Sequence, residues 1–305
     1  MQKRKVHKAP SPSQASDKIN LSNGPGAQIP LLVNWDDLPL FLRDNEYIHT
    51  QYRPASNSYL TSIHSLSYIH NQSGNIYTQL LFVSLLLIFA NYLLQNAIPT
   101  PDREDVIVFA IFFLGLMTCL SLSFVFHTIC NHSQPIQNFW LNLDFMGLLI
   151  ASSGGFVPGV WYMFYCTPFH TKITLIILNL CAQSITAWVT LFVPIFRTPP
   201  WRPIRAGVFG LMGSLAFIPL VAGLFVHGLE EMNHLGGRYY VIAAIFYLSC
   251  AGFYGSRWPE RWSPGNFDVW GHSHQLFHIA GFLGMLPHIF GLLQAYGYQR
   301  EAGNC

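Results

Sequence analysis

Residues 106–129 read VIVFAIFFLGLMTCLSLSFVFHTI, and this stretch decides what kind of protein the chain is. It contains no Asp, Glu, Lys or Arg, and about 20 consecutive apolar residues suffice for a helix to cross the hydrocarbon core of a bilayer. Six further runs of the same character lie near 76–96, 138–165, 173–195, 206–227, 239–256 and 272–294, separated by short polar loops. Composition agrees: the 305 residues are 51% hydrophobic, 15% aromatic and only 10% charged, where a soluble domain carries roughly 25% charged residues. The sequence therefore predicts an all-α fold, a bundle of seven transmembrane helices.

Outside the runs the chain divides simply. Residues 1–30 are rich in Ser, Pro, Lys, Gln and Asn and poor in large apolar groups, which predicts a disordered tail. No apolar core follows Lys3, Arg4 and Lys5, so the tail is not read as a signal peptide. Residues 31–75 form a mixed, aromatic segment at the membrane surface. Within it Leu60, Ile63, Leu66 and Ile69 recur in steps of three, which predicts a short amphipathic helix over 58–70, lying on the membrane or against the bundle. The membrane domain occupies 76–295 and leaves a short tail at 296–305. The six cysteines form no CxxC pair and read as small buried hydrophobes, so neither a disulfide framework nor a zinc ribbon is expected.

Basic residues favour the cytosolic side of membrane proteins. With the amino terminus in the cytosol, twelve of the sixteen Lys and Arg fall on that side, leaving Arg103, Lys172, Arg238 and Arg300 opposite. This predicts a cytosolic amino terminus and an external carboxyl terminus, the reverse of G-protein-coupled receptors. A net charge of +2 implies no nucleic-acid partner. No run carries the repeated polar or broken-helix features expected of a transporter.

The last run opens with GHSHQLFH, residues 271–278, where His274 and His278 share a helix face one turn apart. His127 closes the second run one turn beyond Ser123. Asp144, near the start of the third run, is the one carboxylate inside the seven, and an acid at membrane depth is a functional candidate by default. In the predicted topology the second run ends, and the third and seventh begin, at the cytosolic leaflet. Ser123, His127, Asp144, His274 and His278 therefore converge at one depth. Three histidines and an acid suit a catalytic zinc, which keeps three protein ligands, an open position for water and an outer carboxylate. Whether Asp144 binds the metal or holds its water stays open. His272 points to another face, and His288 lies about 15 Å further along the helix. His227, Glu230, Glu231 and His234 fall in the loop after the fifth run and read as solvated, with a second, weak metal site as the alternative.

Several motifs then form a series: Asp44-Asn45-Glu46-Tyr47 with Tyr52-Arg53-Pro54, Gly74-Asn75-Ile76-Tyr77-Thr78, Ser123-x-x-x-His127-Thr128 and Leu143-Asp144-Phe145-x-Gly147. It continues through Phe156-Val157-Pro158, Tyr165-Cys166, Arg205-Ala206-Gly207-Val208-Phe209, Pro259-Glu260-Arg261-x-x-Pro264-Gly265-x-Phe267-Asp268 and Ser273-His274-Gln275-Leu276-Phe277-His278. In order and spacing, from residue 35 to about 292, it resembles the progestin and adipoQ receptor family: adiponectin receptors, fungal Izh-type proteins and, more distantly, hemolysin-III-like proteins. The fungal type is the nearest match. The resemblance implies Zn2+ held by His127, His274 and His278, with Asp144 and Ser123 beside its water. It further implies ceramidase-like hydrolysis of an amide-linked lipid, with zinc lowering the pKa of bound water toward ~7 and polarising the carbonyl. The partners it implies are membrane lipids, ceramide-like or sterol-related, and an extracellular ligand, in the plasma membrane or the endoplasmic reticulum. The competing reading is a non-catalytic receptor or regulator of lipid and zinc homeostasis in which zinc is structural. Oligomeric state is left open. Where family members open the first span as E-x-x-N-I-x-T-H, this chain has Gln72 and Gln79, so no proton-relay or gating role is carried over to that span.

Overall fold

The computed structural model describes residues 30–96, 98, 101–215 and 217–301, so nearly all of the predicted tail at 1–30 and the last four residues of 296–305 lie outside it. Among the described residues the chain is helical, with only an isolated bridge between Val33 and Tyr52. A short helix, α1, spans Tyr59–His64. Six of the membrane helices are α2 (Ser73–Asn96), α3 (Arg103–Ile129), α4 (Gln134–Met163), α5 (Phe169–Phe192), α8 (Gly237–Ser256) and α9 (Ser273–Glu301). The fifth span is made of two pieces, α6 (Arg202–Leu215) and α7 (Ile218–His234). Pro219 sits in the first turn of α7, where its missing N–H breaks no helical bond. Seven helical stretches are thus long and apolar enough to cross a membrane. Their outer faces carry large exposed side chains such as Ile88, Leu114 and Phe225, as lipid contact requires.

Helix α3 packs most extensively on α4, α8 on α9, and α2 lies against both α3 and α9. Two glycines permit the approaches that matter. A Cβ at Gly147 would come within 3.0 Å of the Cys119 Cα, so α3 and α4 run almost in backbone contact there. Asp144 lies one turn before Gly147 and Ser123 one turn after Cys119, so the contact brings acid and hydroxyl together. A Cβ at Gly74 would meet the Gln275 side chain at 2.2 Å, which lets α2 cross close to the start of α9.

The segment before α2 clamps the same end of the bundle. Arg53, 3% exposed, donates to the carbonyls of His127 and Thr128 and to Ser65 Oγ, each at 2.7 Å. It thereby satisfies carbonyls left open at the end of α3. Asp268 accepts from the backbone N–H of His49 and of Thr50. The predicted amphipathic helix is real but shorter than 58–70. Its buried side holds Ser62 and Ser65, while Leu60, Ile63 and Ile69 are exposed, so its apolar side faces away from the bundle. The cysteine reading needs two corrections: Cys181, on α5, is exposed, and Cys166, just beyond α4, is disulfide-bonded. A cysteine at the end of a span rather than inside it has room for a partner, which run membership alone does not reveal.

Candidate metal centre

The three predicted histidines meet. His127 comes from the last turn of α3, His274 and His278 from the first two turns of α9, and one nitrogen of each lies within 4.8 Å of the others. Among the described residues this is the one His, Cys, Asp or Glu group close enough to hold a metal ion, so His227, Glu230, Glu231 and His234 form no second site. They lie on α7 rather than in a loop; His227 bonds the Met163 carbonyl and His234 stacks on Tyr298.

The donor set suits a divalent metal. His127 Nδ1 lies 2.8 Å from Gln72 Oε1, an acceptor, so Nδ1 carries the hydrogen and Nε2 keeps its lone pair. That Nε2 sits 3.1 Å from His274 Nε2. His278 turns Nδ1 toward Thr78 Oγ1 at 3.4 Å. An imidazole held through Nδ1 with Nε2 left as a lone pair, as at His127, is what zinc ligation requires.

Asp144 falls outside the histidine cluster and is hydrogen-bonded by the Ser123 side chain. Both line a cavity of about 270 Å³ together with His274 and His278. The rest of its wall is mainly apolar, from residues such as Leu116, Phe145, Leu149, Phe209 and Phe282. A smaller cleft of about 110 Å³ carries more polar side chains in its lining, among them Asp44, Arg53, Asn71, Arg202, His127 and His274. His274 lines both cavities, His278 the apolar one and His127 the smaller one, an arrangement that can hold a lipid chain in the first and admit water through the second.

His272 is turned away, as its spacing predicts. It bonds the Asn71 carbonyl and the Gln275 side chain, and burial holds its pKa below the ordinary histidine value. His288 lies further along the same cavity, beside Tyr240 and Tyr247. Sequence reasoning missed the contribution of the first membrane helix. Gln72, Asn75 and Thr78 recur in steps of three, so one face of that segment meets the histidines. The stepped spacing was the available signal; the amide character of the side chains masked it. Glu260 was likewise quoted only as part of a motif. It is fully buried and accepts from Asn45 Nδ2 and from the N–H and Oγ of Ser273, which pins the start of α9 one residue before His274.

Comparison with known proteins places these residues in context. The sequence model of the family described as Haemolysin-III related matches residues 67–289. The chain is 32% identical to the adiponectin receptor protein of Drosophila melanogaster over 90% of its own length and 62% of that protein's. It is 33% identical to the ADIPOR-like receptor IZH1 of Eremothecium gossypii, covering 90% of the chain and 88% of the relative. Heptahelical transmembrane protein 1 of Arabidopsis thaliana is 33% identical over 89% and 83% of the two chains.

Proposed function

The chain belongs to the haemolysin-III related family, within its progestin and adipoQ receptor branch, and on that premise we propose that it is a zinc-dependent hydrolase of an amide-linked membrane lipid, ceramidase-like in its chemistry. The observation that carries this reading is the convergence of His127 with His274 and His278, the latter two on the wall of an apolar cavity that also holds the Asp144 and Ser123 pair. A zinc bound there supplies Lewis acidity and an activated water. His127, His274 and His278 would hold it; the Nδ1 contacts of His127 to Gln72 and of His278 to Thr78 orient those two rings. Asp144 takes or steers a proton at its carboxylate, and Ser123 Oγ orients water or the developing oxyanion. The apolar wall receives the acyl chain and excludes bulk water from it.

In this reading the histidine end faces the cytosol and the carboxyl terminus lies outside. The Lys and Arg distribution supports that orientation, and so does the disulfide at Cys166 on the opposite end, since disulfides persist on oxidising sides of membranes. Plasma membrane and endoplasmic reticulum both satisfy it. Purified protein with its zinc content measured, assayed for fatty-acid release from ceramides beside Asp144→Asn and Ser123→Ala, tests the proposal. Release by the wild type that disappears in Asp144→Asn with zinc and fold intact supports it. Full zinc occupancy without release above buffer overturns it and leaves zinc as a structural tie between α3 and α9.

A further inference from the structure

Gln79 is one of three residues on the wall of the larger cavity, with Gln183 and Tyr240, that leave a buried polar atom unpaired. It lies in α2, is 4% exposed, and its Oε1 has no hydrogen-bond partner. A buried amide without a partner costs on the order of a kilocalorie or more. Its place is equally specific. Gln79 follows Thr78, whose Oγ1 touches the His278 ring, and it lines the same cavity as Ser123, Asp144, His274 and His278. Of its neighbours, Gln72 bonds His127 and Thr78 bonds the carbonyls of Gly74 and Asn75, while Asn75 gives its Nδ2 to Gln72 and keeps an unpaired Oδ1 that belongs to the smaller cleft. Of the unpaired groups on the larger cavity, Gln183 is tied to Ser152 through its Nε2 and Tyr240 lies beside His288, whereas Gln79 directly follows the residue that touches His278.

We propose that Gln79 is a specificity-determining residue that reads the amide of the substrate, its Oε1 accepting the substrate N–H while the lipid chain occupies the apolar cavity. The assignment rests on the lipid-amide reading above and deepens it. An amide presents one N–H to this acceptor; the matching ester presents none and leaves Oε1 buried and unpaired. A site built to bond a donor rejects an analogue lacking it far more strongly than an apolar pocket rejects a shape change. Gln79 therefore selects N-acyl over O-acyl lipids, a distinction the metal cannot make by itself because both carry the same carbonyl.

The test uses the zinc-loaded protein and one matched pair, N-oleoylethanolamine and the glycol mono-oleate that replaces its N–H by oxygen. Equilibrium binding is read by displacement of a fluorescent fatty acid, with kcat/KM for fatty-acid release measured in parallel. The wild type is expected to prefer the amide by about tenfold in Kd, one net hydrogen bond. Gln79→Met, which keeps the length of the side chain without its amide, is expected to abolish the preference by weakening only the amide. Its thermal midpoint should equal or exceed the wild type's, because an unpaired buried group has been removed, whereas a merely structural glutamine would lose stability. Equal binding of the two lipids by the wild type, or a preference that survives in Gln79→Met, overturns the assignment alone. If neither lipid binds, the lipid-hydrolase reading falls and the assignment falls with it.

Discussion

Gln72 Oε1 stands 2.8 Å from Nδ1 of His127 and 2.7 Å from Nδ2 of Asn75, so a single amide oxygen joins the first membrane helix to the metal ligand that closes α3. Metal-binding histidines commonly give their second nitrogen to a carboxylate or carbonyl, which fixes tautomer and ring orientation. Here a neutral amide does it. The bond reaches across 55 residues of sequence, and the Gln72 backbone is itself held by His70, whose Nδ1 accepts the Gln72 N–H at 3.1 Å.

Gln72→Leu removes that acceptor while keeping similar bulk. Zinc affinity is expected to fall by about 10- to 100-fold, the usual effect of losing a partner behind a ligand. Competition against a chromophoric chelator measures it. Gln72→Glu restores an acceptor and should recover most of the affinity. Unchanged affinity in Gln72→Leu would mean that His127 is oriented by α3 packing alone.

Arg53 supports the same ligand from its backbone. Its guanidinium satisfies the carbonyls of His127 and Thr128, and Cys130 Sγ lies 3.3 Å away. Arg53→Met leaves the Thr128 carbonyl without a donor and the His127 carbonyl with only the weak Cys130 thiol, at about 1 to 3 kcal/mol for a group left unpaired. A clear fall in thermal midpoint is expected in detergent or nanodiscs, together with weaker zinc retention. Arg53→Lys should recover little, because a single ammonium cannot reproduce the fork that spans both carbonyls. Equal midpoints for wild type and Arg53→Met would remove Arg53 from the architecture of the site.

Much of this was legible beforehand, for definable reasons. Long apolar runs announce spans because unpaired backbone is intolerable in lipid, and the break within the fifth span was hidden only because both halves are apolar. His127, His274, His278, Asp144 and Ser123 were legible because ionisable or polar groups are rare at that depth and topology put them at one level. The supporting residues were not. Gln72, Arg53 and Glu260 lie near the ends of spans, where polar residues are ordinary, and their partners are 55, 74 and 215 residues away in the chain. Pairings of that range come from packing and leave no periodicity to read. The disulfide at Cys166 escaped for a related reason: a single cysteine at a span end carries no spacing signature.

His70 gives the fold a pH limit. It is 1% exposed, and burial, with the positive charge of Arg53 second, pushes its pKa from 6.5 down to about 3. The folded protein keeps His70 neutral while the unfolded chain would take up a proton below 6.5. Its contribution is therefore intact above that value and is lost progressively as pH falls toward 3. Near pH ~5.5 the loss is about 1.4 kcal/mol from this residue. His70→Asn offers an oxygen where Nδ1 accepts and does not titrate, so unfolding midpoints followed from neutral to acid pH should fall less steeply than in the wild type. Parallel curves for the two proteins would show that His70 is protonated without cost.

Glu260 controls where α9 begins, and with it two of the three ligands. Its Oε2 accepts the Ser273 N–H at 2.7 Å, and its Oε1 accepts Ser273 Oγ and, at 3.0 Å, Asn45 Nδ2. A carboxylate at a helix amino terminus satisfies open N–H groups and complements the helix dipole, and a buried one is tolerated only because donors surround it. Glu260→Ala strands three donors and removes the anchor one residue before His274. It is expected to cost about 3 kcal/mol or more, on the scale of one to a few kcal/mol for each buried group left unpaired. Glu260→Gln keeps an acceptor for part of the set and should cost less than half as much. Because the anchor sets the register of His274 and His278 together, zinc affinity should follow stability across the two variants. Chelator competition and thermal unfolding on the same preparations give both quantities. A Glu260→Ala protein that melts like the wild type and holds zinc as tightly would show that α9 is positioned by its packing on α8 instead.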